Sequence, residues 1–297
     1  MHIQPFVVLG SAVVGVLVGM TGAGGGALMT PMLILLFGVK PSTAISSDLV
    51  AAVVMRPFGA LVHFQKGTVN LKLVAWLMVG SIPAAFAGAF ALHEFSSSKT
   101  HVEYLLGYAL LIGAAAMVLR AYLDHKRGQR EVRAVREITV RPVPTMVIGV
   151  VGGFIVGMTS VGSGSLMIVL LLFLYPMLSA SRLVGTDLAQ AVPLTVAAAL
   201  GALAFGTVNF AVTGSIIIGS VPAVLVGAYF SSRAPDSWIR PAITFVIFAS
   251  GLKYAGLSTT ALGWTLVIVL GSIFIVFLGI RRPWQPSARA QVEPLEK

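Results

Sequence analysis

The chain has 297 residues, 57% of them hydrophobic and 10% charged. A soluble domain of this length needs roughly a quarter of its residues charged, so the composition excludes a soluble enzyme or binding module. The formal charge of +10 then points to basic loops held on the cytoplasmic side of a membrane, not to a nucleic-acid partner.

A run of about 20 apolar residues is enough to cross the hydrocarbon core. Nine apolar segments follow one another: 6–37, 44–64, 72–92, 103–123, 144–175, 183–205, 210–230, 239–257 and 262–280. The first has no basic n-region and continues past any workable cleavage point, so it is expected to remain in the mature protein. It spans about 32 residues, or about 48 Å as one helix, against about 30 Å of hydrocarbon. Its middle reads Thr21-Gly22-Ala23-Gly24-Gly25-Gly26, and glycine runs are poor helix. The length is too short to cross twice. It allows one tilted, broken crossing or a re-entrant hairpin that dips to the middle and returns.

The second segment opens with Ser47-Asp48-Leu49 and carries Arg56 and His63. Arg56 lies about 18 Å along the helix from Ala44, close to the bilayer middle. A charge there is costly and faces a cavity or a partner. Its guanidinium fork suits an oxyanion; a structural pair with Asp48 or Asp187 is the other reading. Asp48, Arg56 and His63 fall within about 80° of one another on a helix. His63 reads as a proton carrier or as an interfacial histidine near a helix end.

Between the fourth and fifth segments, the loop 124–141 carries six basic residues. The fifth segment is again about 32 residues long, broken by Thr159-Ser160-Val161-Gly162-Ser163-Gly164-Ser165. The sixth opens with Thr186-Asp187-Leu188 and has Gln190 one turn on, a donor to substrate or a helix–helix hydrogen bond. Capping by Ser47 or Thr186 with the adjacent aspartate is the expected role of Asp48 and Asp187, with proton relay as the alternative. Pro83, Pro193 and Pro222 lie within segments and can kink them. Asn70 and Asn209 read as turn or cap residues.

The chain repeats itself. GMTGAGGGALM at 19–29 returns as GMTSVGSGSLM at 157–167, 138 positions later. Ser47-Asp48-Leu49 returns as Thr186-Asp187-Leu188, Gly67-Thr68-Val69-Asn70 as Gly206-Thr207-Val208-Asn209, and Gly80-Ser81-Ile82-Pro83 as Gly219-Ser220-Val221-Pro222, each 139 positions on. Residues 1–123 thus form a first transmembrane repeat and 143–257 a second, joined by a basic cytoplasmic linker at 124–142. An extra helix and a cytoplasmic tail occupy 258–297. Internal repeats of about half the chain are a transporter habit.

Positive charge separates the two readings of the long segments. With re-entrant first and fifth segments, each half crosses three times and the halves are inverted. Fifteen basic residues then lie on the cytoplasmic side and only Lys40, Lys99 and Lys253 outside, with Arg56 and Arg120 inside spans. If both segments cross fully, each side carries nine and the positive-inside bias vanishes. The favoured fold is therefore all-α, with two inverted repeats, glycine-broken re-entrant first segments and one extra C-terminal helix. The N-terminus lies outside and the C-terminus in the cytoplasm. A broken crossing stays open as the alternative.

After each break a new half-helix begins, near Ala27 and near Leu166. Its first N–H groups lack partners and carry partial positive charge, and glycine admits a ligand close to them. Such an end is an anion site. The expected substrate-binding set is Thr21, Gly22, Gly24, Gly25, Gly26, Arg56, Thr159, Gly162, Ser163, Gly164, Ser165 and Gln190. Asp48, Asp187 and His63 are the proton or gating candidates. Tight helix packing alone is the competing use of the glycines.

The glycine-rich break, the SDL and GTDL turns and the two-fold repeat resemble the TauE/SafE family, the sulfite exporter family, from about residue 6 to 257. The resemblance implies a bacterial inner-membrane protein moving sulfite or a sulfonate outward, with other members assigned to other small anions. By position, the family's break motifs correspond to Gly22, Gly24, Gly25 and Gly26 and to Gly162, Ser163 and Gly164. Its acidic or polar turn corresponds to Asp48 and Asp187. The serines in the second break depart from a pure glycine run, so the two halves are not expected to bind identically.

A secondary transporter for a small anion is the expected function. A transporter or channel for another small inorganic or organic anion is the alternative. A membrane enzyme is disfavoured, since the spans offer no HExxH or DDxxD cluster. The expected partners are the anion and the lipid bilayer, without nucleic acid, cofactor or metal; a homodimer is left open. The chain has no cysteine, so disulfides and thiolate metal sites are excluded.

Overall fold

The computed structural model describes residues 3–21, 25–96, 98–128, 139–230, 236–258 and 260–267. Helices follow as α1 (Pro5–Thr21), α2 (Gly26–Leu35), α3 (Pro41–Gln65), α4 (Leu71–Phe95), α5 (Lys99–Gly128), α6 (Pro142–Thr159), α7 (Leu166–Leu174), α8 (Ala180–Phe205), α9 (Phe210–Phe230) and α10 (Asp236–Tyr254). Residues 260–267 are also helical. Among the described residues no strand forms; Gly162 and Gly164 share an isolated bridge. The described protein is thus all-α, as its composition requires. Six of the helices, α3, α4, α5, α6, α8 and α9, are long and apolar enough to cross a membrane.

Both long segments are divided where their glycines predict. The first becomes α1 and α2, the second α6 and α7. Gly22 and Gly24 lie outside the described residues, as do most of the linker, 129–138, and the tail, 268–297. Asn70 caps α4, its Oδ1 accepting from Leu73 N at 3.2 Å. Asn209 accepts from Ala211 N at 3.0 Å and Val212 N at 3.3 Å, opening α9. Pro83, Pro193 and Pro222 sit inside α4, α8 and α9.

One expectation fails. Asp48 and Asp187 do not cap helices, because α3 opens at Pro41 and α8 at Ala180, upstream of both. Proline is preorganised for the first helical position and starts α3 there. Ser179 caps α8, its hydroxyl accepting from Arg182 N at 3.4 Å. The aspartates are left inside their helices, free to point into the protein.

The two halves interlock. Helix α1 packs on α9 and α6 packs on α4, so each half lends its first helix to the third apolar segment of the other half. Helix α3 packs on α8 and α5 on α10. Each of these pairings maps onto another, or onto itself, when the halves are exchanged, as a two-fold relation requires. The glycines obey the same rule. A Cβ on Gly80 would overlap Met146 O and one on Gly219 would overlap Val8 O, and Gly88 over Phe154 O matches Gly227 over Val16 O. Backbones approach this closely in membranes only through small residues. The compact unit Met1–Gly256 contains both halves, and Leu257–Lys297 form a second unit.

Helices α3 and α8 run antiparallel. Asn70 N, just past the end of α3, donates to Thr186 Oγ1 near the start of α8 at 3.2 Å. Asn209 N, just past α8, donates to Ser47 Oγ near the start of α3 at 3.0 Å. These are repeat-equivalent bonds, with the GTVN loop of each half tied to the hydroxyl beside the aspartate of the other.

Candidate functional site

The second break is built from backbone that helix cannot provide. Ser160 ends α6 in the left-handed region at φ 58°, ψ 1°, an uncommon conformation for a residue with a side chain. Gly162 at φ 121° and Gly164 at φ 88° follow, conformations for which glycine is the default. The turn faces a carboxylate on each side. Ser160 Oγ donates to Asp48 Oδ2 at 2.7 Å, and Thr30 Oγ1 of α2 donates to the same oxygen at 3.1 Å. Gly164 N donates to Asp187 Oδ2 at 2.8 Å. Both aspartates are buried, so these charge-assisted bonds tie α3 and α8 to the break.

The two breaks meet. A Cβ on Gly26, the first residue of α2, would overlap Ser160 O. Gly25 is roomier, its nearest neighbours being Met55 Cε at 3.7 Å and Val18 Cγ2 at 3.9 Å. The start of α2 therefore lies directly against the start of the second break, and Asp48 joins them through Thr30 and Ser160.

Arg56 stands between the carboxylates electrostatically, with Asp187 its strongest charged neighbour and Asp48 the next. Its Nη1 and Nη2 are buried and make no hydrogen bond. It is not locked into a close pair with either aspartate. Arg120 of α5 completes the charge set: its Nη1 donates to Gly164 O at 3.3 Å, and Asp187 feels its charge. Gln190 is fully buried, receives a 3.1 Å bond from Ser81 Oγ at its Oε1, and sets its side chain against the Asp187 carboxylate.

The remaining residues singled out in the sequence take other places. Thr159 turns back on the backbone, donating to Ile155 O at 2.6 Å and accepting from Val161 N at 3.2 Å. Ser163 and Ser165 are buried within the break, and Ser165 does not cap α7 through its side chain. Thr21 is the last residue of α1. His63 sits in the last turn of α3. Thr68 Oγ1 donates to His63 O at 3.1 Å and lies within hydrogen-bond distance of His63 Nδ1 at 2.9 Å. Thr195, the repeat equivalent of Arg56, donates to its own helix at Ala191 O, 2.6 Å away. The cationic group is thus supplied by one half alone.

Four residues of this network are not read from the sequence as site residues: Thr30, Ser81, Arg120 and Ser160. Ser160 is the most accessible of them to sequence reasoning, because it stands where the first half has Gly22. Ser81 falls in the repeated Gly80-Ser81-Ile82-Pro83 block, which marks the repeat and not a site, and Thr30 has no such mark.

Membrane-length helices enclosing two abutting breaks and a buried set of opposite charges define a multi-pass membrane protein with a polar centre, the architecture of a membrane transporter. The chain belongs to the sulfite exporter TauE/SafE family, whose model matches residues 7–254. It is 39% identical over 251 residues to a probable membrane transporter protein, YjnA, of Bacillus subtilis (strain 168), covering 83% of this chain and 98% of the relative. A second Bacillus subtilis protein named as a probable membrane transporter, YdhB, is 25% identical over 248 residues, 83% of this chain and 98% of its own. No solved structure gives a significant match.

Proposed function

We propose that this protein is a secondary transporter that exports a small sulfur-containing anion, sulfite or an organosulfonate, across the bacterial inner membrane. The observation that carries the reading is the unpartnered guanidinium of Arg56, whose buried Nη1 and Nη2 make no hydrogen bond. Leaving two donors of a cation unsatisfied in the interior is costly unless a ligand fills them. A guanidinium fork matches the two oxygens of a sulfite or sulfonate head. The family supports the substrate class, and the names of the relatives support transport in general. The carboxylates of Asp48 and Asp187 are held by the break, so they do not neutralise Arg56 by direct contact.

The anion site in this reading lies where the α2 and α7 starts converge on Arg56. The α7 start already holds one negative group, Asp187, through Gly164 N. Substrate therefore meets Arg56 and the free donors around it, not the Gly164 amide. In the membrane, the halves are inverted and α1–α2 and α6–α7 enter as re-entrant pairs, with the N-terminus outside. The antiparallel course of the equivalent helices α3 and α8 supports inversion, because a two-fold axis along the membrane normal would leave equivalent helices parallel.

Flux of sulfite from proteoliposomes holding the purified protein tests the function. Arg56→Gln should weaken sulfite binding at least about tenfold, since charged hydrogen bonds contribute roughly 1.5–3 kcal/mol. Arg56→Lys should fall between, keeping the charge but losing the fork. Unchanged affinity in a folded Arg56→Gln protein removes Arg56 from the site.

A further inference from the structure

We propose that Asp48 is the coupling group of this transporter, taking up one proton from water when the anion binds and releasing it when the anion leaves, so that the two cross together. The inference rests on the anion reading above and adds the ion that moves with the substrate.

The charged groups at the breaks are Arg56 and Asp48 of α3, Asp187 of α8 and Arg120 of α5. Arg56 acts on both carboxylates, and Arg120 acts on Asp187. Helices α2, α6 and α9 also pack on α3, and they bring no acid, base or histidine. Helix α4 keeps Lys72, His93 and Glu94 at its two ends, as α3 keeps His63 in its last turn. Two cations and two carboxylates cancel. A singly charged anion at Arg56, a sulfonate or hydrogensulfite, adds one negative charge that nothing in the interior compensates. Burying an unpaired charge is costly. One proton on a carboxylate restores neutrality.

The two aspartates differ in their fitness to hold it. Asp187 faces donors that cannot turn round: Gly164 N at 2.8 Å and the Gln190 side chain, whose Oε1 is taken by Ser81 Oγ. Amide N–H groups donate and do not accept, and their bonds are strongest to an ionised carboxylate. Asp48 Oδ2 faces two hydroxyls instead, Ser160 Oγ at 2.7 Å and Thr30 Oγ1 at 3.1 Å. All three residues are buried. A hydroxyl donates to a carboxylate and accepts from a carboxylic acid merely by rotating its hydrogen. That hydrogen also has somewhere to go. Thr30 lies inside α2, and a threonine inside a helix can donate to the carbonyl one turn back, as Thr195 does to Ala191 O at 2.6 Å. Asp48 is therefore satisfied with and without a proton, and Thr30 and Ser160 are positioning residues for it. Outward movement then depends on the anion gradient and on the acidity of each side.

Asp48→Asn resembles the protonated state and cannot ionise. Its loaded form is neutral and can cross. Its empty form is left with one uncompensated positive charge, which hinders the return. Proteoliposomes filled with labelled sulfite read the difference. Exchange against external unlabelled sulfite should stay within about threefold of wild type, while net efflux into sulfite-free medium falls at least about tenfold, because only the empty form carries a buried unpaired charge. A purely structural role would lower both alike. A second measurement needs no variant. Methanesulfonate has no proton of its own to give, so its binding to the wild type in weakly buffered detergent near neutral pH should draw about one proton per anion from solution, read with a pH indicator. Net efflux that survives Asp48→Asn, or that falls together with exchange in a folded protein, overturns the proposal. So does methanesulfonate binding to the wild type without proton uptake. If the wild type neither exchanges sulfite nor binds methanesulfonate, the anion reading itself is what fails.

Discussion

At the scale of single residues, adjacent glycines in the first break have opposite demands. Gly26 allows Ser160 O to rest on its backbone, whereas the nearest atom to a Cβ on Gly25 would be 3.7 Å away. Gly26→Ala should therefore force the two breaks apart and cost about 1–3 kcal/mol, the range for overpacking a filled interior. Gly25→Ala fits its space. Thermal unfolding of the two purified variants checks this, and equal midpoints would show that the breaks do not press on each other at Gly26. The sequence shows a glycine run but not which glycine is sterically required, because the partner is Ser160, far along the chain. Arg120 illustrates the same limit. It reads only as a charge inside a span, and its bond to Gly164 O depends on how α5 meets the second break.

At the scale of elements, the breaks, the long helices and the asparagine caps were legible, because glycine runs, apolar length and side-chain capping are local chemistry. The placement of Asp48 and Asp187 was not. Capping needs the helix to begin beside them, and Pro41 and Ser179 begin it earlier. The hydroxyls next to the aspartates have a different task, one the repeat displays only once the halves are folded together. Ser47 receives Asn209 N and Thr186 receives Asn70 N. Ser47→Ala and Thr186→Val each orphan one backbone N–H. Each should lower stability by about 1 kcal/mol or somewhat more. The two bonds lie at opposite ends of the antiparallel α3–α8 pair and share no partner, so the double variant should lose the sum of the singles. Denaturation of the four proteins in one detergent tests this. A double variant no worse than the poorer single would mean that the two ties act as one unit.

At the scale of the whole molecule, the interlocked halves make a statement about sidedness. Helices α3 and α8 occupy equivalent places in the repeat, are both of membrane length, and meet head to tail, with the end of each beside the start of the other. Equivalent spans that run in opposite senses put the turn after α3 and the turn after α8 on opposite faces of the bilayer. Charge assigns the faces. Lys66 and Lys72 flank the turn after α3, so the proposed topology puts it in the cytoplasm, in keeping with the positive-inside tendency. The turn at Gly206–Asn209 has no basic residue, and the proposed topology puts it outside. The chain has no cysteine, so single replacements report cleanly, and Lys66 and Thr207 are both exposed. In intact cells, Thr207→Cys should react with a membrane-impermeant maleimide and Lys66→Cys should not; in inside-out vesicles the pattern should reverse. Under the proposed topology, cysteines placed at Met1 and Lys297 should likewise label from opposite sides. Labelling at 66 and 207 from one face would remove the inversion. Opposite labelling there with Met1 and Lys297 on one face would keep the inversion and remove the re-entrant pairs, so the two parts of the topology stand or fall separately.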